Sequence, residues 1–423
     1  MKGKSVVGWA MSLVFLLISG PAVVGWGFTD PLADPGFLEN SPEQQATGIS
    51  ALGFRNALVI DELEGRRGQV ETDLNMHYNR VDGLFVQLGL DTKWKSPAKL
   101  RLFARAGYAF KGKAWHYEIG MGRRFDLGPN RLEVGIRNYD LTDTEDEWLM
   151  PTDENSAAAF FFKEDFRDYY CRRGTSFYLI NTLFQRLTLE VGYLLDKHGS
   201  LKRRTNWSLF GGREKFRENP PVDEGVVHSL TARIGYDTRD DLMEPTSGFL
   251  VEASYEKGGD KFRGDYDFRH FVLDFRRYLR LSAFENIDLR LRVGTAAGDL
   301  PVQRAFDLGG IGSLRGYKFK EFSDFDRMVL GNVEYRVQLG RFAPDFLEDM
   351  QIIPFYDFGL AWFSNDKYSI VAGFDQLKRD RLKTSVGIGL ATGADDGLRV
   401  NLARRLDDRD RPMEVTVRVH RIF

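Results

Sequence analysis

Many side chains here can do chemistry, but few sit at spacings that a reaction needs. Six histidines, His77, His116, His198, His228, His270 and His420, are dispersed, without the close pairing of a zinc site. Cys171 is the one cysteine, which excludes an internal disulfide and a cysteine-based zinc site. No Gly-x-Ser-x-Gly occurs, and Ser313, beside Gly312, has no evident histidine partner. Glu118, Glu133, Arg137 and Glu190 resemble acid–base pairs and read instead as a solvated charge lattice. The acidic run Asp140, Asp143, Glu145 and Asp146 can bind divalent cations; a solvated charge run is the simpler reading. No enzyme activity, metal or cofactor is expected. The remaining candidates are Glu334 and Asp357, which fall on one face of neighbouring alternating segments. The fork of a loop arginine can meet paired carboxylates of this kind, and a lysine cannot match that geometry.

The elements that position these residues are strands. Val70, Thr72, Leu74 and Met76 alternate with Gln69, Glu71, Asp73 and Asn75, and Leu132, Val134 and Ile136 with Glu133, Gly135 and Arg137. One face is apolar; the other is polar, charged or glycine. The pattern recurs at 84–90, 100–110, 115–122, 174–183, 186–197, 225–237, 247–257, 266–280, 285–298, 327–339, 350–363, 382–391, 396–405 and 412–423. That makes about sixteen strands, an even count as in bacterial barrels. Most have about 10–14 residues, against about 9–11 needed to cross a bilayer at a tilt. In segment 327–339, Val329, Val333, Tyr335, Val337 and Leu339 take the apolar, lipid side, leaving Asn332, Glu334 and Arg336 inward. In 350–363, Tyr356, Phe358, Leu360 and Trp362 face lipid, leaving Phe355, Asp357 and Gly359 inward. The expected fold is all-β: a closed antiparallel transmembrane β-barrel of about sixteen strands with a short N-terminal periplasmic segment. Soluble sandwiches also alternate, but they do not crowd Arg, Glu, Asp and Gly onto one face over so many strands.

The 423 residues carry 59 Lys+Arg against 61 Asp+Glu, a balance that argues against a nucleic-acid partner. Lys2 and Lys4 precede the apolar run Val6–Ile18, and Gly20, Ala22, Gly25 and Gly27 follow. Residues 1–27 therefore read as a signal peptide. Residues 28–67, with Pro31, Pro35 and Pro42, read as a periplasmic linker with a possible short helix, and 68–423 as the outer-membrane barrel. Counting back from a periplasmic C-terminus puts the long connectors 141–173, 198–224, 257–265, 299–326 and 364–381 outside. Val415, Val417, Val419 and the terminal Phe423 share a face, as in a C-terminal insertion signal with its aromatic in the interfacial girdle. Arg421 departs from that pattern and, near the interface, can snorkel. The expected surroundings are the bacterial outer membrane, its lipid and lipopolysaccharide, and the barrel-assembly machinery for the chain's own insertion.

Leu314-Arg315-Gly316-Tyr317, inside the glycine-rich stretch Gly309–Tyr317, is an aliphatic-Arg-Gly-aromatic tetrapeptide. It resembles the sixth extracellular loop of the outer-membrane assembly-factor superfamily, the BamA/TamA-type bacterial surface antigen barrels. Gly331–Arg336, the Phe-x-Asp-x-Gly of Phe355–Gly359, Val386–Leu390, and Tyr236–Asp240 with Pro245–Gly248 are similar to the family's strands and periplasmic turn. The resemblance is sharpest from Gly225 to Phe423 and extends back to Tyr78–Gly83. It implies that the 299–326 loop folds inward and that Arg315 docks on the wall carboxylates Glu334 and Asp357, beside Phe355 and Gly359. About forty residues separate the signal peptide from the first strand, which suggests a barrel-only branch without POTRA domains. The implied function is insertion or translocation of an unfolded or partner protein. The alternative is a passive pore or surface-structural barrel without insertase activity.

Overall fold

The computed structural model describes residues 70–92, 100–242, 244–340, 349–392, 397–408, 410–419, 421 and 423; the signal-peptide and linker readings over 1–67 lie outside them. The first strands are β1 (Glu71–Asn79), β2 (Gly83–Asp91), β3 (Leu100–Ala109), β4 (Ala114–Leu127) and β5 (Asn130–Asp143). A helix, α1 (Thr152–Phe162), then precedes β6 (Tyr170–Leu183), β7 (Leu187–Ser200), β8 (Gly225–Asp237), β9 (Gly248–Gly258), β10 (Phe268–Arg280) and β11 (Glu285–Gly298). The short β12 (Phe306–Leu308) and β13 (Phe322–Phe325) lie in the connector to β14 (Arg327–Gln338). The chain ends with β15 (Met350–Trp362), β16 (Lys383–Thr392), β17 (Leu398–Arg405) and β18 (Glu414–Arg418). All but β12 and β13 form one sixteen-stranded antiparallel sheet in chain order, and β12 pairs with β13 alone. Among the described residues no ladder joins β1 to β18.

The two faces invert the ordinary order of burial, in which charge is exposed and apolar bulk hidden. Leu88, Trp115 and Ile119 on the apolar face are 56%, 69% and 55% exposed, whereas Glu334, Asp357 and Arg399 on the polar face are fully buried. Among the described residues no helix is long and apolar enough to cross a membrane, a statement that leaves strands untouched. Register brings the site together. The β14–β15 ladder sets Asn332 opposite Asp357 and Glu334 opposite Phe355, and the β11–β14 ladder sets Asp288 opposite Glu334. Paired residues share a face, so these groups crowd one patch.

Three features depart from the sequence reading. Val329, Leu360 and Trp362, expected against lipid, are buried. The β15–β16 connector folds back over them with Phe374, Leu377 and Leu382, and the Trp362 indole donates to Gly373 O at 2.9 Å. Strand alternation gives the facing of a residue, not what covers it. The last strand stops at Arg418 instead of running through 412–423. Val415, Val417 and Val419 stay exposed as expected, but Phe423 is buried and not on an outward girdle. Arg421 bonds Asp288 at 2.5 Å and lies 5.3 Å from the Tyr278 ring, so it turns to the polar face instead of snorkelling. Finally, α1 was not anticipated. Its signals are Pro151 just before it, Asp153 and Glu154 in the first turn, three successive alanines, and Lys163 closing it in a left-handed conformation; acidic first turns and alanine favour a helix.

Candidate functional site

The 299–326 connector lies on the polar face. Its Phe306, Leu308, Leu314 and Tyr317 form a buried cluster with Val272 of β10, Ala296 of β11 and Met328 and Leu330 of β14. This apolar contact seats the loop, and a fully buried aliphatic side chain contributes roughly 1.5–3 kcal/mol. Gly359 leaves room for it: a Cβ there would meet Leu308 at 3.2 Å and Leu314 at 3.4 Å. Gly316 is tighter. A Cβ would sit 2.7 Å from both Arg405 N and Ser385 Cβ. Gly316→Ala is therefore expected to lift the loop from β16 and β17, at about 1–3 kcal/mol for overpacking. Limited trypsin digestion reads this at Lys318 and Lys320; wild-type resistance would mean that the wall yields.

Arg315 is 1% exposed. Its Nε and Nη2 donate to Asp357 at 2.9 and 2.5 Å, its Nη1 donates to Glu334 at 2.5 Å, and its backbone N donates to Asp357 at 3.1 Å. The guanidinium lies over the Phe355 ring, 3.5 Å from its centroid, a favourable cation–π arrangement. Burial works against the charge; the Asp357 and Glu334 carboxylates outweigh it and hold Arg315 above its ordinary pKa. Tyr317 OH donates to Asp407 at 3.0 Å and receives Thr384 N at 3.1 Å, while Arg405 covers its ring at 4.2 Å. The geometry places Leu314, Arg315, Gly316, Tyr317, Glu334, Phe355, Asp357 and Gly359 at one contact.

The site is larger than the sequence suggested. Glu334 also receives Arg336 at 2.9 Å and both Arg399 Nη atoms at 2.9 Å. Asp357 receives Asn332 at 2.8 Å and Ser385 at 3.3 Å. Arg399 was findable, since it alternates with the exposed Leu398 and Val400, but nothing in the sequence pairs it with a residue 65 positions away. A second cation joins the loops: Lys320 Nζ lies 2.9, 2.7 and 2.8 Å from Asp146, Asp168 and Asp307. The acidic run, read as a solvated charge run, is ion-paired along its length, with Glu145 remaining exposed. Asp140 pairs with Arg173, Asp143 with Arg172, Glu145 with Arg304 and Asp146 with Lys320. Glu118 likewise bonds Arg105 and Arg137. Fixed ion pairs of this kind hold loops and wall together and offer no free acid or base.

Residues 131–410 match the Omp85 superfamily domain. The outer membrane protein assembly factor BamA of Nitratidesulfovibrio vulgaris is 32% identical over 179 residues, 39% of this chain and 21% of that protein. The chain thus covers about a fifth of the length of that curated relative. The crystal structure of BamA from Haemophilus ducreyi lacking POTRA domains 1-3 aligns with a TM-score of 0.53 at 14% identity, over 88% of this chain and 75% of that one. That last likeness is one of fold.

Proposed function

We propose, since the chain belongs to the Omp85 superfamily, that it is an outer-membrane barrel that inserts or translocates other proteins through a weak seam between its first and last strands. Family membership implies the bacterial outer membrane. In this reading the sheet closes, its polar face is the lumen, the long connectors lie outside and the C-terminus is periplasmic. Closure is supported by α1, which hydrogen-bonds Tyr78 of β1 and Arg418 of β18. The two edges therefore come within reach of one helix, about 10–12 Å across.

The observation that carries the reading is the seam itself. Lipid makes each unsatisfied backbone group cost several kcal/mol, so a barrel that merely stands in a membrane pairs all its strands. Here, among the described residues, sixteen strands pair in series and no ladder joins the two ends. The polar face is also crowded by the docked loop, which speaks against a wide passive pore. The reaction class is physical, with no covalent bond made or broken, and the substrate is an unfolded or partner protein. The barrel's own insertion falls to the assembly machinery, and lipid and lipopolysaccharide surround it.

Depletion in the native host, followed by a quantitative census of outer-membrane proteins, tests this. A selective fall in other barrels or surface proteins is expected. An unchanged census, with steady conductance of the purified protein in planar bilayers, would favour the passive pore.

A further inference from the structure

Helix α1 comes from the connector between β5 and β6, yet it touches both ends of the sheet. Tyr78 N donates to Ser156 Oγ at 2.6 Å. Leu84, opposite Tyr78, gives its carbonyl to Phe110 of the next connector. Leu84 therefore turns to the β3 side, and the Tyr78 amide points away from β2, out of the sheet edge. At the other end, Val419 N donates to Glu154 Oε1 at 2.8 Å. Leu406 N bonds Thr384 O, so even-numbered residues of β17 turn to β16, and Arg399 turns to its partner Arg418. Val419, one residue on, points to the open edge. One helix thus caps an edge amide of the first strand and the amide directly after the last.

The helix also meets the two strands on opposite faces. Arg418 pairs with Arg399 and shares the polar face; its Nε donates to Glu154 Oε1 at 2.8 Å and its Nη1 to Leu149 O at 3.2 Å. Tyr78 alternates with the exposed Leu74 and Met76 and so lies on the apolar face, yet it is buried. Phe160 and Trp207 cover it edge-on at 5.5 and 6.1 Å, and its hydroxyl donates to Trp207 O at 2.7 Å. Beyond Phe160, Phe161, Phe162, Trp207 and Phe210 form an aromatic cluster that is 38–66% exposed. An exposed apolar cluster continuous with a lipid-facing wall marks a surface with an apolar partner.

We propose that α1 is a latch lying in the gap between β1 and β18, held on the polar side by Glu154 and on the apolar side by an aromatic tip resting in the outer leaflet. The proposal rests on the reading of the sheet as a membrane barrel with a working seam. Helix side chains meet these two amides, and among the described residues no ladder joins the two strands, so the latch can leave without breaking the wall, and lipid contact at Phe161 and Phe162 holds it in place.

The test is hydrogen–deuterium exchange on the full chain in lipid nanodiscs, read on peptides containing Tyr78 and Val419. Glu154→Gln with Ser156→Ala is expected to speed exchange at both peptides at least tenfold while leaving β6 and β7 unchanged. Ala157→Ser, on the exposed side of the helix, should behave as wild type. If the double variant fails to fold, judged by heat-modifiable migration, Phe161→Ser with Phe162→Ser carries the test. Both rings are exposed, and exchange at the Tyr78 peptide should rise several-fold. Unchanged exchange in a folded variant overturns the latch. The protein census reports separately: faster exchange with an unaltered census upholds the latch and counts against insertion as its purpose.

Discussion

Arg315→Ala is expected to release the 299–326 loop from the wall and to make Lys318 and Lys320 cleavable in the folded protein. Removing one partner of a buried ion pair costs about 3–5 kcal/mol, because the other charge is left uncompensated. The loss is uneven. Asp357 loses the fork, and the backbone donor of residue 315 once the loop lifts, and keeps Asn332 and Ser385, which are neutral. Glu334 keeps Arg336 and Arg399. Most of the cost therefore falls on Asp357, and Asp357→Asn in the Arg315→Ala background should recover part of it. A double-mutant cycle on the unfolding midpoint would show this as a coupling of about 1–3 kcal/mol. Glu334→Gln should be at least as damaging as Arg315→Ala, since three guanidiniums then lose one shared counter-charge. Arg315→Lys should recover little, because an ammonium can neither form the Nε/Nη2 fork nor lie flat on Phe355. Wild-type loop protection in Arg315→Ala would dismiss the docked arginine as the fastening.

The wall of this site was readable in the sequence and its contents were not, for a physical reason. A strand has a period of two, so a few residues around Glu334 and Asp357 suffice to turn both carboxylates to the polar face. The sixteen sheet strands come from the same local rule, and each lies near an alternating segment. What fills or covers a face is set by connectors that return from afar, and no local period encodes them. Leu360 and Trp362 alternate as lipid-facing residues do, yet the following connector covers them. Arg421 sits where an apolar residue was expected and reaches Asp288, 133 positions away. The docking of Arg315 came from the likeness of its tetrapeptide to a family loop, not from spacing. For α1 the local signals existed, an acidic first turn and three alanines, but its capping of both sheet edges has no trace in them.

Lys320→Met is expected to unfasten the two long connectors from one another, with a penalty that depends on pH. In the wild type, burial disfavours the ammonium, and Asp146, Asp307 and Asp168 outweigh it, so its pKa lies above the ordinary lysine value. A raised lysine contributes stability that is complete below its unfolded pKa, about 10.4, and is lost only as pH climbs through the higher folded value. Burial works against the Asp168 charge too, but Lys320 and Arg217 hold its pKa down at about 2. That contribution is present above the unfolded value, about 3.9, and fades as pH falls through 2. Between about pH 5 and 9 neither of these two contributions changes. Without Lys320, Asp168 still has Arg80 and Arg217, so the loss falls on Asp146 and Asp307. Burial already pushes the Asp146 carboxyl above the usual range, with Lys320 opposing that shift, so without the ammonium protonation of Asp146 relieves the strain. The penalty should reach about 3 kcal/mol near pH 7.5, toward the low end for a broken buried pair, and shrink by half or more near pH 4.5. Urea midpoints of the two proteins at both pH values measure it. An equal penalty at both would mean that Lys320 does not act through its charge on these carboxylates.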